Sequence, residues 1–406
     1  MARPDDWPVG RPWWAHEAFG VGPCGLTLDG RCLAGLAREH GTPLYVYSLG
    51  TVRSRLGRLR AALGSVGAPH RVYYALKANR HRDVLGLLRP ESGVGVDACS
   101  PREARLAVEA GFGPDEVSVT TSMLSDRDLD ELVALGVHLN LDSRSALRRY
   151  SARTPFGTAV GLRLDPPAGR FEGADPEYVY ADGRFGIPLG DLVDVAAEAR
   201  AAGLTVDTLH VHCGWNLPAA AAGWLSDVLG SVAAAAGRLP TVRTVNVGGG
   251  LSPGFGPDET PLSLEVWTEL LRRHLGPLGV TIACEPGTYL VAEAGVLLVE
   301  VNTVEAKGGH TWVGVDAGHP VYNFPAMYGG RVEVVHVARP ADAPIEHYQV
   351  AGHINEVRDV FARDRALPEL REGDVLAFVR VGAYGASMAS DHCLRGQPAE
   401  VAILPG

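Results

Sequence analysis

Between residues 70 and 290 eight short apolar runs recur, each followed by an Ala/Leu/Arg-rich stretch of helical spacing. The runs are Val72 to Leu76, Gly93 to Ala98, Glu116 to Val119, His138 to Leu141, Ala159 to Leu164, Thr208 to His212, Val242 to Val247 and Val280 to Cys284. Strands alternating with helices make a parallel sheet, and eight such units predict closure into a (β/α)8 barrel. An open doubly wound sheet has the same alternation. The unit count and the lack of a G-x-G-x-x-G turn after the first run favour the barrel. Two of the helices show their ends in the sequence. One starts after Ser100, with Glu103 three residues on, and runs from Pro101 to Ala110; the other runs from Leu189 to Ala202 and stops at Gly203.

After residue 290 the helical signal fades and strand-like segments take over: Gly295 to Val304, Thr311 to Val315, Arg331 to Val337 and Val375 to Val379. The first 45 residues also read as strand and loop, and Pro43 to Ser48 is a further β run. The expectation is an α/β chain with a barrel over 46–290 and a second, all-β domain built from 1–45 plus 291–406. At 46% hydrophobic and 21% charged residues, the 406-residue chain has the balance of a globular protein able to bury such cores. Its net charge of −10 disfavours nucleic acid as a principal partner. The first twenty residues hold no unbroken apolar stretch, so neither a leader nor a membrane anchor is expected, and the cytoplasm is the predicted location. Six scattered cysteines with no C-x-x-C pair read as free thiols rather than a zinc site or a disulfide framework.

A barrel of this kind gathers its functional groups at the carboxyl ends of the strands. Those positions hold Lys77, Asp97, Arg163, His212, the run Gly248-Gly249-Gly250 and Glu285-Pro286-Gly287. Burial lowers the pKa of a lysine, as imine formation near neutral pH requires. Three glycines after a strand let backbone N–H groups approach a phosphate. A carboxylate such as Glu285 suits the nitrogen of a pyridine ring, and an imidazole such as His212 suits its face. Taken singly, each has a plain alternative: a solvated lysine, a tight turn, a core ion pair, a packed histidine. A metal-dependent hydrolase fits least, because His210 and His212 are taken to face opposite sides of their strand and no His/Asp ligand set is seen; no metal is expected.

With six motifs in order, the chain resembles the fold-type III pyridoxal-phosphate decarboxylases, the diaminopimelate and ornithine decarboxylase family, over roughly residues 40 to 403. The motifs are Tyr74-Ala75-Leu76-Lys77-Ala78-Asn79, Val96-Asp97-Ala98-Cys99-Ser100, His210-Val211-His212-Cys213-Gly214, Gly248-Gly249-Gly250, Glu285-Pro286-Gly287 and Gly382-Ala383-Tyr384-Gly385-Ala386-Ser387-Met388. The resemblance implies pyridoxal 5′-phosphate as cofactor, held as an imine on Lys77, with His212 stacked on its ring and Glu285 at its nitrogen. Asp97, Arg163, Gly248 to Gly250, Gly287 and Tyr384 would complete the cofactor site. It further implies a homodimer with shared sites. Glu285, standing where the racemase branch of the fold has an arginine, favours decarboxylation of an amino acid to an amine and carbon dioxide. A racemase, or a non-catalytic pyridoxal-phosphate-binding homologue, remains the alternative.

The chain also departs from the family. In Gly352-His353-Ile354-Asn355-Glu356-Val357-Arg358-Asp359, Asn355 stands where the family's proton-donating cysteine belongs, which passes that role to Lys77, His353 or a held water. Thr288 and Phe324 occupy the places of two arginines, and Trp215 that of a small hydroxyl residue. Without those arginines a distal carboxylate lacks a bidentate partner, so the expected substrate is a basic amino acid or derivative, L or D, and not meso-diaminopimelate. Glu356, a candidate catalytic residue, and Asp359 are candidate acceptors of a distal ammonium. Phe324, Tyr328, His353, Asn355 and Tyr384 complete the candidate substrate contacts.

Overall fold

The computed structural model describes Trp7, residues 10–165, Phe171 and residues 184–405. A short antiparallel meander comes first, β1 (Phe19–Gly22), β2 (Gly25–Leu28) and β3 (Arg31–Cys32), then a helix over Leu33–His40 and β4 (Leu44–Ser48). That helix was not expected in a segment read as strand and loop. The meander also corrects the reading of the cysteines: its turns bring the Cα atoms of Cys24 and Cys32 to 6.2 Å and the pair is joined as a disulfide. Cys99, Cys213, Cys284 and Cys393 are free.

Eight parallel strands close the barrel: β5 (His70–Ala75), β6 (Val94–Ala98), β7 (Val117–Thr120), β8 (His138–Leu141), β9 (Thr158–Leu164), β10 (Leu204–Val211), β11 (Thr244–Asn246) and β12 (Thr281–Cys284). Each pairs with the next, and β12 pairs back to β5. Successive residues of a strand face opposite sides, and here the two sets differ in chemistry. The outward set is apolar and fully buried under the helices, for example Val72, Tyr74, Val96, Val119, Leu139, Leu162, Leu209, Val245 and Ile282. The other set carries Asp97, Ser118, Thr120, Asn140, Arg163, Thr208, His210 and Asn246, polar yet buried. The fold thus rests on its outer layer, and the barrel interior is free to carry chemistry.

Serines set the helix starts after the strands. Ser100, Ser125, Ser143 and Ser263 each accept a hydrogen bond from the backbone N–H three residues on, which satisfies a donor the helix itself cannot. At the Ser100 cap the Glu103 carboxylate also accepts from Cys99 N at 2.7 Å. The segment Ala219–Ala236 is long and apolar enough to span a membrane by composition. Its apolar face, including Leu225, Val228, Leu229 and Val232, packs in the barrel's helical layer.

The second domain is an eight-stranded sheet of β4, β13 (Gly295–Lys307), β14 (His310–Val315), β15 (Glu333–His336), β16 (Glu346–Ala351), β17 (Val360–Leu367), β18 (Val375–Val379) and β19 (Ala399–Ile403). Strand β13 is its spine: its first half pairs with β4 and β18, its second half with β14. After β18 the chain returns to the barrel. Asn79 Nδ2 donates to Gly382 O at 2.9 Å, and Ala78 O accepts from Tyr384 N at 2.8 Å and Ser387 Oγ at 3.2 Å. The turn that carries Lys77 is thereby stapled to the β domain.

Candidate active site

A cleft at the carboxyl ends of the strands, with about 740 Å³ of empty space including its mouth, brings most of the predicted residues together. Its walls carry Lys77, Asp97, His212, Gly249, Gly250, Glu285, Gly287, Phe324, Tyr328 and Tyr384, joined by Trp215 and Thr288. This size suits a cofactor with a small substrate.

Lys77 lies in a short 3-10 turn, Leu76–Ala78, directly after β5, and its neighbours are fixed from two sides: Tyr74 Oη donates to Asn79 O at 2.7 Å and the β domain holds Ala78. Burial was expected to lower its pKa, but the structure reverses that sign. Charge on Cys99 is the largest influence, and with Tyr384, Asp97 and Glu285 it outweighs desolvation and holds the Lys77 ammonium above the ordinary lysine value. Burial pushes the Cys99 thiol up to about 12, so near neutral pH it is uncharged and the Glu285 carboxylate is the anion that acts on Lys77.

The two carboxylates are driven apart. Burial, and then the charge of Glu285, raises Asp97 far above the usual carboxylate range, so it keeps its proton. Burial pushes Glu285 up as well, but the charge and hydrogen bond of His210, with His212 and Lys77 behind them, bring it down to about 2. Glu285 is therefore the anion of the pair. His210 Nε2 lies 3.2 Å from Oε2, Asn246 Nδ2 donates to Oε1 at 2.8 Å, and Thr120 Oγ1 reaches Oε1 at 3.5 Å. Asn140 Nδ2 in turn donates to Thr120 Oγ1 and Ser118 Oγ at 2.9 and 3.0 Å. The sequence reading missed this support, although every member sits at an inward strand position.

His210 also corrects a reading. Residues two apart on a strand share a face, so His210 and His212 both point into the barrel rather than to opposite sides. His212, just past β10, is kept neutral by desolvation first and by the Lys77 and Arg163 charges second. Gly249 N donates to its Nδ1 at 3.1 Å, which leaves the ring proton on Nε2. Gly248 and Gly250 have φ of +68° and +109°, and a Cβ on Gly248 would stand 2.7 Å from both His212 Nδ1 and Val211 O. Only glycine lets this backbone pass so close to the imidazole.

These features fit pyridoxal phosphate. Asp97 Oδ1 is buried with no partner among the described residues, Glu285 offers a fixed anion, the glycine run gives close backbone approach, and Lys77 supplies the amine. Arg163 is buried and is not among the residues that line the cleft; its guanidinium carbon lies 4.8 Å from the Phe185 ring centroid.

The loop between β16 and β17 is not in this cleft. His353 and Asn355 line a separate groove with Trp312 and Arg395, and Glu356 lines another beside His392. Asp359 is not free to take an ammonium. It is buried, its Oδ1 accepts from His319 N at 2.8 Å and its Oδ2 from Ile354 N at 2.9 Å, so it shapes the loop instead.

Residues 49–292 match the family described as pyridoxal-dependent decarboxylase, pyridoxal binding domain. The diaminopimelate decarboxylase of Methanothermobacter thermautotrophicus is 36% identical over 396 residues, which span 94% of this chain and 91% of that protein. The enzyme of the same name from Streptomyces coelicolor is 33% identical, over 93% and 88% of the two chains. Among solved structures, the diaminopimelate decarboxylase of Helicobacter pylori complexed with L-lysine superposes with a TM-score of 0.83 at 26% identity, covering 91% of this chain and 93% of that one. These relatives overturn the exclusion of meso-diaminopimelate. That exclusion assumed that a distal carboxylate can be gripped only from the places of Thr288 and Phe324, whereas a cation elsewhere on the cleft serves equally.

Proposed function

Since the chain belongs to the pyridoxal-dependent decarboxylase family, we propose that it removes one carboxylate of diaminopimelate, releasing carbon dioxide and lysine. Its relatives' names take it away from the racemase and the non-catalytic readings. The observation that carries the proposal is the cleft itself, where Lys77, a charged Glu285 and a neutral His212 stand together in chains of the same length and fold as enzymes of that name.

When bound, pyridoxal phosphate supplies an aldehyde for an amine and a pyridinium ring that accepts the electron pair left by the departing carboxylate. Lys77 is the amine that would meet that aldehyde, for which it must be neutral, and it would hold the proton again once released. Glu285, fixed by His210, Asn246 and Thr120, would hold the ring nitrogen in its protonated form. Asp97 keeps its own proton and so donates a hydrogen bond without competing for that role. His212, held neutral, would lie against the ring without repelling the pyridinium. Gly248 to Gly250 and Tyr384 would hold the phosphate end. Asn355 cannot return a proton to carbon, and Lys77, which lines the cleft as an ammonium, would be the acid in its place.

The β16–β17 loop carries exposed Glu356 and Val357 away from this chain's own cleft, which supports a homodimer in which it faces the site of the second copy. Incubation of the holoenzyme with meso-diaminopimelate tests the function: equal amounts of carbon dioxide and lysine are expected, and none from Lys77→Ala. Release of neither by the wild type would refute it.

A further inference from the structure

The aromatic wall of the cavity that holds Lys77 has a second face. Trp215 and Phe324, which line it, also line a second cleft on their far side that opens to solvent, together with Phe255, Glu259 and Arg331. Trp215 stands edge-on to Phe324 (5.5 Å between centroids, 75°) and to Tyr328 (6.0 Å, 66°), so the rings form a concave apolar corner between the two spaces. A short methylene stem fits such a corner, where it loses no polar contact.

Beyond the corner the cleft carries both signs of charge. Arg331 is half exposed, and its Nη2 lies 3.4 Å from Glu333 Oε2. Glu333 is buried and is paired independently with Arg365, so Arg331 is not its sole counter-charge and its fork keeps donors for a ligand. Glu259 is exposed, and its Oε2 accepts from Asn216 Nδ2 at 3.1 Å and Phe255 N at 3.0 Å, which fixes the carboxylate while Oε1 takes no part in those two bonds.

We infer that this outer cleft is the subsite for the distal head of the substrate, with Arg331 pairing the distal carboxylate, Glu259 taking the distal ammonium, and Trp215 and Phe324 flanking the stem. The inference rests on the diaminopimelate reading, whose distal end is a zwitterion, and it puts the recognising arginine seven residues on from Phe324. A zwitterion satisfies both charges of the cleft at once, whereas a lone ammonium leaves Arg331 unused.

The test compares wild type, Arg331→Gln and Glu259→Gln holoenzymes by the change in cofactor absorbance on titration with meso-diaminopimelate, L-lysine (no distal carboxylate) and 2-aminopimelate (no distal ammonium). Arg331→Gln is expected to weaken diaminopimelate and 2-aminopimelate by about ten- to a hundredfold and to leave lysine unchanged. Glu259→Gln is expected to weaken diaminopimelate and lysine but not 2-aminopimelate. Both variants should keep the wild-type cofactor absorbance, since neither residue touches the cofactor. Binding of diaminopimelate by the wild type without release of carbon dioxide refutes the proposed activity and leaves the subsite standing on this affinity pattern. Unchanged diaminopimelate affinity in Arg331→Gln, equal losses for all three ligands, or no binding of diaminopimelate by the wild type overturns the subsite.

Discussion

Replacing Glu285 by glutamine removes one charge from the centre of the site while keeping the size of the side chain. In the protein the carboxyl titrates at about 2 against an ordinary 4.5, because His210, His212 and Lys77 favour the anion by more than burial disfavours it. That difference corresponds to about 3 kcal/mol in favour of the charged form. A glutamine keeps a carbonyl to accept from Asn246 but cannot pair with a pyridinium, so it forfeits a charge-assisted hydrogen bond of about 1.5–3 kcal/mol. We expect kcat to fall about a hundredfold, since about 1.4 kcal/mol is a factor of ten. The KM should move little, because substrate contacts lie elsewhere on the cleft. Carbon dioxide release from meso-diaminopimelate across substrate concentrations gives both constants. A kcat within about threefold of wild type, with the cofactor still bound, would show that Glu285 does not sustain ring protonation and would remove the acid–base assignment above.

Three further outcomes follow from the same charges and contacts. Because the Lys77 pKa is raised, loading of cofactor onto apoenzyme should accelerate by about tenfold per pH unit between pH 6 and 8, as the neutral amine becomes less rare; a rate independent of pH in stopped-flow absorbance would contradict it. Burial lowers His16 to about 4 from 6.5, and its Nε2 bonds Glu293 O at 2.9 Å. The neutral form is the folded one, so stability present above pH 6.5 is lost as pH falls toward 4, by up to about 3 kcal/mol. Urea melts of His16→Gln should show a flatter decline over that range, and an identical slope would exclude His16 as its source. Gly248→Ala places a methyl group against His212 and Val211 O in a left-handed backbone, and should cost about 1–3 kcal/mol in stability and weaken cofactor retention on dialysis; full retention would mean that the turn relaxes.

The barrel was legible because its outward strand positions are apolar and its units repeat. The run read from His138 to Leu141 is β8 residue for residue, and Ser100 caps the helix it was expected to cap. Lys77, Asp97, His212 and Glu285 were legible as strand-end residues, and the structure brings all four to one cleft. The Glu285 support was equally readable, since Thr120, Asn140, His210 and Asn246 are polar residues at alternating positions of apolar strands. Strand ends alone do not reveal it, because Asn140 and His210 lie before those ends, and the period of two puts His210 on the same face as His212. Other features depend on distant contacts that no local pattern encodes. Cys24 meets Cys32 only through a meander, Asp359 turns inward to hold its own loop, and the sign of the Lys77 shift follows from acids on other strands. The substrate exclusion failed for a related reason: two missing arginines say what is absent at two places, and nothing of the groups that other elements bring near.

The central claim is that Lys77 carries the cofactor and yields it to diaminopimelate. Borohydride reduction of the holoenzyme, followed by peptide mass spectrometry, tests it directly. Without substrate the pyridoxyl group should be fixed on Lys77, and with saturating meso-diaminopimelate most of it should be lost from that peptide and recovered on small amines. A label on any other lysine, or one that stays on Lys77 whatever the substrate concentration, would contradict the account.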